Sequence, residues 1–370
     1  MTPQVSPGVK RIPELDGLRG LVALLVVASH YGGEVKHGVS ALLLGWLGVD
    51  LFFVLSGFLM GSIILSRHTE PGFLKSFYLR RAARIIPIYF VVFCATFLIA
   101  ELTRDRSWAD QPFALPVYLL FLTNFAQSIW GGGGEWLKPA WTLAVEEQFY
   151  LVLPLVIMWV RKNYLVHVLL GLCVAAVAIR CAFSNINPLA ALTLLPSRMD
   201  LLLGGVILAY AWRRFDLARY LLVFRIVPLA ALVSLLVISV VASDKNLFLI
   251  LSPTLAGLGI ASLLLAVLLG APEGRRYRSP VLMSVGRISY GLYLVHQPIS
   301  GLLHGVILDS VPDVGSLPQI GVTLLAFATS VAVAAASWKW LEQLILNLVP
   351  SSSRDNVGYP PGRELGARVP

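Results

Sequence analysis

Charged residues are scarce in this sequence. They make up 13% of its 370 residues, whereas 57% are hydrophobic, and the mean hydropathy is +0.78. Soluble globular domains carry about 25% charged residues, so the composition excludes that class. Apolar runs of about 20 residues, the length of a membrane-spanning helix, recur from Leu18 to Leu348. The sequence therefore predicts an all-α, polytopic membrane helix bundle.

Cysteine is also scarce, with three residues in the whole chain. Cys173 and Cys181 lie in one predicted helix with a rise of about 12 Å between them, which excludes a disulfide. Together with Cys94 they are predicted to be packing residues. No cluster of cysteine and histidine has the spacing of a zinc site, so no metal is predicted. The alternating polar pattern of an outer-membrane β-barrel is absent as well.

The apolar runs predict ten membrane-spanning helices. Their approximate ranges are 15–35, 41–66, 83–102, 141–160, 164–184, 199–213, 221–242, 247–270, 285–307 and 318–346. One further apolar stretch, residues 113–127, is only about fifteen residues long and is too short to cross a bilayer as a helix. If it did cross, every later basic loop would lie on the opposite side of the membrane. We therefore predict a re-entrant or shallow segment there.

The basic residues are distributed unevenly along the chain. The net charge is +9, and most of the 29 lysines and arginines fall in alternate loops between the predicted spans. The positive-inside rule then predicts that the N- and C-termini are both cytoplasmic. This distribution reflects topology and gives no sign of nucleic-acid binding. We predict one membrane domain over residues 1–350 and a disordered cytoplasmic tail over residues 351–370, which are polar and rich in glycine and proline.

Arg19 and His30 stand out in the first predicted span. A charged or titratable side chain inside a membrane costs about 2.5–3.5 kcal/mol on insertion scales, so such residues are candidates for function. Their separation of eleven positions gives about three helical turns, which places both on one face about 16 Å apart along the axis. Arg19 is predicted near the cytoplasmic surface, and His30 deep in the membrane.

Arginines also cluster at the start of the third predicted span. The spacing of Arg81 and Arg84 brings their side chains together near a helix start, and arginine binds phosphate in a bidentate manner. We predict that both bind the phosphates of an anionic ligand. The alternative is contact with anionic lipid headgroups, which we favour for Arg80.

Acidic residues inside the predicted spans form another group of candidates. Glu146 shares a helix face with Tyr150 at spacing i, i+4. A buried carboxylate must pair with a cation or take up a proton, so Glu146 is either part of a proton-transferring site or a structural partner of an arginine. Asp50, Arg198 and Asp200 lie close to other predicted spans, where they form ion pairs or line a pore.

A polar stripe marks the ninth predicted span. Ser289, Tyr293 and His296 fall at i, i+4 and i+7 on an otherwise apolar helix. Such stripes usually form hydrogen bonds to neighbouring helices. His296 is therefore either a residue of the catalytic site or a packing contact.

Five motifs in this order resemble the acyltransferase-3 family of bacterial membrane O-acyltransferases. They are IPELDGLRG followed after nine residues by His at 12–30, GVDLFFVLSGFL at 48–59, FYLRRAARIIP at 77–87, WTLAVEEQFYLVLP at 141–154 and ISYGLYLVHQP at 288–298. The resemblance implies transfer of an acyl group, commonly acetyl from acetyl-coenzyme A on the cytoplasmic side. The implied acceptor is a hydroxyl of a carbohydrate, a lipid-linked glycan or a small molecule.

The resemblance also implies roles for particular residues. The residues implied in binding coenzyme A are Arg19, Arg81 and Arg84. The residues implied in catalysis are His30, Glu146 and His296. Neutral imidazole is suited to removing a hydroxyl proton near neutral pH, which independently predicts His30 as the general base. A covalent acyl-histidine is the less favoured variant.

Many members of this family carry a C-terminal hydrolase-like domain that completes transfer in the periplasm. This sequence ends shortly after its last predicted span. We therefore expect a single-domain enzyme, or one that passes its acyl group to a separate extracytoplasmic partner, with membrane lipid as a further partner. The alternatives are a transporter or channel for an anionic or glycan substrate, and a non-catalytic subunit that only relays the acyl group.

Overall fold

The computed structural model of the protein describes residues 12–39, 45–241 and 245–348, so the predicted tail at 351–370 lies outside the described residues. The described part is helical and contains no β-strand, which confirms the all-α class. The long helices are α1 (Pro13–Gly32), α2 (Trp46–Arg67), α3 (Phe73–Leu102), α6 (Ala140–Trp159), α7 (Leu165–Ile186), α9 (Leu195–Arg214), α10 (Leu221–Val241), α11 (Lys245–Leu268), α12 (Pro280–Leu308) and α13 (Leu317–Ser337). The short ones are α4 (Leu115–Leu119), α5 (Thr123–Trp130), α8 (Pro188–Thr193) and α14 (Gln343–Leu348). A π-helical turn, Trp338–Glu342, joins α13 to α14.

Nine helical stretches of the described residues are long and apolar enough to cross a membrane. The helix α1 is not among these nine, but its 20 residues extend over about 30 Å, enough for the hydrocarbon core. Together these helices account for the ten predicted spans, and the chain is a multi-pass membrane protein. The helix α10 is the most exposed, with side chains such as Leu229 and Val233 facing outward. Such a face suits contact with lipid.

Two helices begin at least five residues earlier than predicted. The helix α3 begins at Phe73 rather than at residue 83, and α12 begins at Pro280 rather than at residue 285. The early turns of α3 carry Lys75 and Arg80, whose charge ends an apolar run without ending a helix. Gly72, with a φ of +71°, supplies the left-handed turn that precedes α3.

The stretch 113–127 does not form one helix. It is divided between α4 and α5 by a break at Phe121, whose φ is +53°. The 5 residues of α4 and the 8 residues of α5 extend over about 8 Å and 12 Å, far short of a bilayer. This agrees with the predicted short segment, and its re-entry into the membrane stays a prediction.

The helices α1 and α12 run side by side in the same direction and pack closely. A Cβ atom added to Gly20 would lie 2.0 Å from the carbonyl oxygen of Leu282, and one added to Gly286 would lie 1.9 Å from that of Asp16. Glycine at these positions lets the two backbones touch, as small residues do between membrane helices. The same packing brings the far end of α1 against the middle of α12. We call the two ends of the bundle the Pro13 end and the His30 end, after the residues of α1 that lie there.

Candidate active site

His30 and His296 lie in contact where α1 packs against α12; we call them the histidine pair. His30 Nδ1 and His296 Nε2 are 2.7 Å apart, and the two rings stack with their centroids 5.0 Å apart. His296 is fully buried, whereas the side chain of His30 is 14% exposed. The residues are 266 positions apart in the sequence, so the fold alone creates this contact. The structure thus brings together two of the predicted catalytic residues.

The hydrogen bonds of the histidine pair define which ring nitrogens carry protons. His296 Nδ1 lies 3.1 Å from the carbonyl oxygen of Leu292, which can only accept, so Nδ1 of His296 is the protonated nitrogen. Its Nε2 is then an acceptor, and the proton in the contact belongs to His30 Nδ1. This assignment leaves His30 Nε2 with a free lone pair. That nitrogen is the basic atom of the pair.

His30 lies in the last turn of α1, which ends at Gly32 rather than at the predicted residue 35. It lies about 16 Å along the helix axis from Arg19, as the spacing predicted, and its depth in the membrane stays a prediction. The earlier end comes from the two glycines, Gly32 and Gly33, which hydropathy counts as neutral although glycine favours helix ends.

Arg19, Arg81 and Arg84 lie together between the Pro13 end and the centre of the bundle; we call them the arginine cluster. Arg19 and Arg81 are close enough to Arg84 to act on it electrostatically. All three are half-buried. Within the described residues, none of them has a carboxylate oxygen within 4.0 Å. The structure thus brings the three predicted phosphate-binding residues together, and in the described part of the chain it places no carboxylate at ion-pair distance from them.

Glu146 lies beside the arginine cluster rather than beside the histidine pair. The hydroxyl of Tyr150 donates to Glu146 Oε2 at 3.1 Å, as the i, i+4 spacing predicted, and it also contacts Ser56 Oγ. The guanidinium of Arg81 lies over the ring of Tyr150, 5.4 Å from its centroid. The described contacts of Glu146 do not include either histidine. Its catalytic role stays a prediction, and its position suggests a function toward the arginines.

The helix α12 connects the arginine cluster to the histidine pair. The hydroxyl of Tyr290 donates to the carbonyl of Ile85, the residue after Arg84, at 3.2 Å. One turn further, the ring centroid of Tyr293 lies 5.8 Å from that of His296. The predicted polar stripe is confirmed for Tyr293 and His296, which contact other helices. Ser289 differs, because its hydroxyl donates to a carbonyl of α12 itself.

The candidate site residues described so far lie within a stretch that matches a known family. A family model described as an acyltransferase domain, that of the acyltransferase-3 family, matches residues 12–339. The chain belongs to the acyltransferase-3 family. This confirms the resemblance found in the five motifs. The histidine pair, the arginine cluster and Glu146 are all part of the matched acyltransferase domain.

Curated relatives of this acyltransferase-3 chain occur in Staphylococcus aureus. A protein of strain COL, named as an O-acetyltransferase by inference, is 27% identical over 362 residues, which cover 90% of this chain and 57% of that protein. The O-acetyltransferase OatA of strain NCTC 8325 is 27% identical over 360 residues, which cover 90% of this chain and 56% of that protein. This chain thus spans less than two thirds of the length of these relatives. No solved structure matches it.

Two acids near the site of this acyltransferase-3 domain were not singled out from the sequence. Glu342, on the π-helical turn, is 2% exposed, accepts from Ser337 Oγ at 3.2 Å and lies within electrostatic reach of Arg84. Glu34 follows His30 by four positions, and its Oε1 lies 3.6 Å from His30 Nε2. The sequence contained a signal for each of them. Glu342 is an acid in an apolar helix, and Glu34 lies at spacing i, i+4 from His30.

A second set of buried charges lies away from these residues. Arg198 pairs with Asp50, and Arg180 pairs with Asp200 at 2.5 Å. Arg180 is fully buried and also donates to two backbone carbonyls. The structure therefore favours ion pairs over a pore lining for Asp50, Arg198 and Asp200. We call these four residues the paired-charge network.

The described residues offer no group of three or more His, Cys, Asp or Glu side chains placed to hold a metal ion. The three cysteines are not joined in disulfides; Cys94 and Cys173 are half-buried, and Cys173 packs against an apolar cluster. The candidate active site therefore consists of the histidine pair, the arginine cluster and the acids beside them.

Proposed function

We propose that this chain is a membrane O-acyltransferase that transfers an acyl group, acetyl in the first instance, from acyl-coenzyme A to a hydroxyl. The acceptor is a carbohydrate, a lipid-linked glycan or a small molecule. The observation that carries the proposal is the hydrogen-bonded histidine pair, which leaves His30 Nε2 as a free base within an acyltransferase-3 domain. The names of the Staphylococcus aureus relatives support acetyl as the group and oxygen as the acceptor atom.

In the proposed reaction His30 is the general base. Its Nε2 takes the proton of the acceptor hydroxyl as the hydroxyl oxygen bonds to the acyl carbon. The bond from the acyl carbon to sulfur then breaks, sulfur keeps the electron pair, and the proton passes from His30 to sulfur. His296 acts as a positioning residue, because its Nε2 accepts a hydrogen bond from His30 Nδ1. This hydrogen bond keeps the proton on Nδ1 of His30 and leaves the lone pair on Nε2 of His30.

The arginine cluster is proposed to hold the phosphates of the donor. Three half-buried cations, with no described carboxylate within 4.0 Å, provide the charge that phosphates need, and arginine binds phosphate in a bidentate manner. The rise of about 16 Å from Arg19 to His30 suits a donor whose phosphates stay at the cluster while its thioester reaches the histidine pair. Glu146 and Glu342 would balance the arginine charge when no donor is bound.

The predicted topology assigns a membrane face to each end of the site. With the N-terminus in the cytoplasm, as the positive-inside rule predicts, the donor enters from the Pro13 end and the acceptor reaches His30 from the extracytoplasmic side of the inner membrane. An acyl-histidine intermediate would use the same nitrogen and is the less favoured variant. The family and the histidine pair favour group transfer over transport, and an extracytoplasmic transfer partner remains compatible with this direction.

The test compares His30→Ala with the unchanged chain in membranes supplied with acetyl-coenzyme A that carries an isotopic label in its acetyl group. We expect the label to enter glycans, lipids or small molecules with the unchanged chain and not with His30→Ala. His167→Ala is the matched control, because His167 is an exposed histidine at the start of α7. Equal amounts of each chain in the membrane exclude a folding defect. Full label transfer by His30→Ala would overturn the assignment.

A further inference from the structure

Glu34 is held over the end of α1 by a closed turn. The backbone N–H groups of Gly33 and Glu34 both donate to the carbonyl of Ser29, at 2.8 and 2.9 Å, and Val39 N donates to the carbonyl of Gly32 at 2.6 Å. Ser29 Oγ also donates to Glu34 Oε1 at 3.4 Å. The carboxylate is therefore placed by the backbone of the turn that follows α1.

The same turn is attached to the loop between α12 and α13. The backbone N–H of His37 donates to Asp313 Oδ1 at 3.0 Å, and His37 Nδ1 lies 2.5 Å from Asp313 Oδ2. A turn fixed at both ends holds its side chains in place more firmly than a free loop does. Glu34 thus lies on a supported segment directly next to the histidine pair.

Glu34 faces the nitrogen of His30 that has no partner. Its Oε1 is 3.6 Å from His30 Nε2, and the two side chains are 40% and 14% exposed. A carboxylate and an imidazole lone pair are both acceptors, so no hydrogen bond joins them at rest. Once Nε2 gains a proton, it becomes a charged donor aimed at the carboxylate. The interaction is therefore stronger after proton transfer than before it, which is the condition for lowering a reaction barrier.

The other charged and titratable groups that act on Glu34 come from the segment before α6 and from α12. Lys138 and Glu135 both act on it electrostatically, and Glu34 in turn acts on Tyr293. Lys138 Nζ, however, lies 3.1 Å from Glu135 Oε2 and so already has a carboxylate partner. Among the described residues, the Glu34 carboxylate accepts a hydrogen bond from Ser29 Oγ alone, and it remains available to His30.

We propose that Glu34 is a positioning residue that stabilises the protonated imidazole of His30 while the acceptor hydroxyl is acylated. The proposal rests on the proposed function, because it assumes that His30 Nε2 takes the hydroxyl proton. The acceptor hydroxyl then approaches His30 Nε2 from the His30 end, beside the Glu34 carboxylate. Glu34 adds a charge-assisted hydrogen bond that forms only after the proton has moved.

The test compares Glu34→Gln and Glu34→Asp in the full chain, with transfer of labelled acetyl from acetyl-coenzyme A measured across pH. Glu34→Gln is expected to lower kcat roughly tenfold to hundredfold, the effect of one hydrogen bond to a charged group, without changing the KM for acetyl-coenzyme A. The acidic limb of its pH–rate profile is expected at lower pH, because the protonated imidazole loses a neighbouring negative charge. Glu34→Asp is expected to recover part of the rate.

Glu101→Gln is the matched control, since it removes the same charge from a 69% exposed side chain that pairs with Arg104 rather than with His30. It is expected to behave like the unchanged chain. An unchanged kcat and pH profile in Glu34→Gln, or the same loss in Glu101→Gln, would overturn the proposal for Glu34. If His30→Ala abolishes transfer in that case, the proposed function stands. Full transfer by His30→Ala would instead defeat the proposed function itself.

Discussion

The paired-charge network and the arginine cluster both place arginines among apolar helices, but among the described residues only the arginines of the network contact a carboxylate at ion-pair distance. Arg180 and Arg198 each contact an aspartate. The arginines of the cluster have no carboxylate within 4.0 Å in the described part of the chain. Removing an arginine from water is costly, and the cost is offset only by a partner in the protein or in a ligand. The difference separates charges that hold helices together from charges that are available to an anion.

Breaking the paired-charge network is expected to have the largest effect. Arg180→Met leaves Asp200 buried beside α7, α9 and α11 without its cation, which is expected to lower the free energy of unfolding by about 3–5 kcal/mol. The measurement is chemical denaturation of the detergent-solubilised full chain. The double variant Arg180→Met with Asp200→Leu is expected to recover most of the loss, because an apolar pair can replace a buried ion pair. A stable single variant would contradict a structural role.

Changing the arginine cluster is expected to affect binding rather than stability. Arg81→Gln and Arg84→Gln are each expected to weaken binding of coenzyme A roughly tenfold to hundredfold, the effect of losing about 1.5–3 kcal/mol of charged hydrogen bonding. The free energy of unfolding is expected to change little, because no carboxylate within ion-pair distance loses its partner. Calorimetric titration of the purified chain with coenzyme A measures the affinity.

Arg275→Gln is the control for that titration, because it removes the same charge from an exposed position at the Pro13 end. We expect its affinity for coenzyme A to match that of the unchanged chain. If Arg81→Gln and Arg84→Gln unfolded as easily as Arg180→Met and still bound coenzyme A normally, the cluster would be a second structural network. The distinction between the two regions would then disappear.

Helix periodicity predicted the contacts that lie on one helix. Glu146 and Tyr150 are an example, since spacing i, i+4 alone places them together. The resemblance grouped Arg81 and Arg84 with Arg19, and the structure confirms that they meet. Hydropathy located the ten long helices because each contains an apolar run of the right length. It missed the first turns of α3, because charged residues can form a helix well without being apolar.

Contacts between helices could not be predicted in the same way. Arg180 meets Asp200 from a different helix, and His30 meets His296 across 266 positions, so both depend on how helices pack. The packing of α1 on α12 depends on glycines such as Gly20, whose importance lies in the absence of a side chain. A periodic pattern shows which face is polar, but it does not identify the helix that the face meets.

Asp110 provides a third case, a buried acid without a cation. It lies in the segment between α3 and α4, outside the predicted spans, and Oδ1 accepts from the backbone N–H of Glu135 at 2.7 Å. None of the described lysines or arginines forms an ion pair with it. Burial raises the pKa of Asp110 to about 6, although the backbone N–H groups of Glu135 and Trp136 oppose the rise. Asp110 therefore extends the comparison from buried arginines to a buried acid.

The smallest expected effect is the dependence of stability on pH that Asp110 causes. The pKa of aspartate in an unfolded chain is about 3.9, so between about pH 4 and pH 6 the folded state binds more protons, and stability falls by roughly 1–3 kcal/mol as pH rises through that range. Asp110→Asn keeps the accepting oxygen without the charge and is expected to remove this part of the dependence. Denaturation at several pH values measures it, with the 97% exposed Asp105 changed to Asn as control. If the free energy of unfolding of Asp110→Asn depended on pH as it does in the unchanged chain, the expectation would be contradicted. If this dependence were lost in Asp110→Asn and kept in the control, the buried acid without a cation would be shown to be neutralised by a proton.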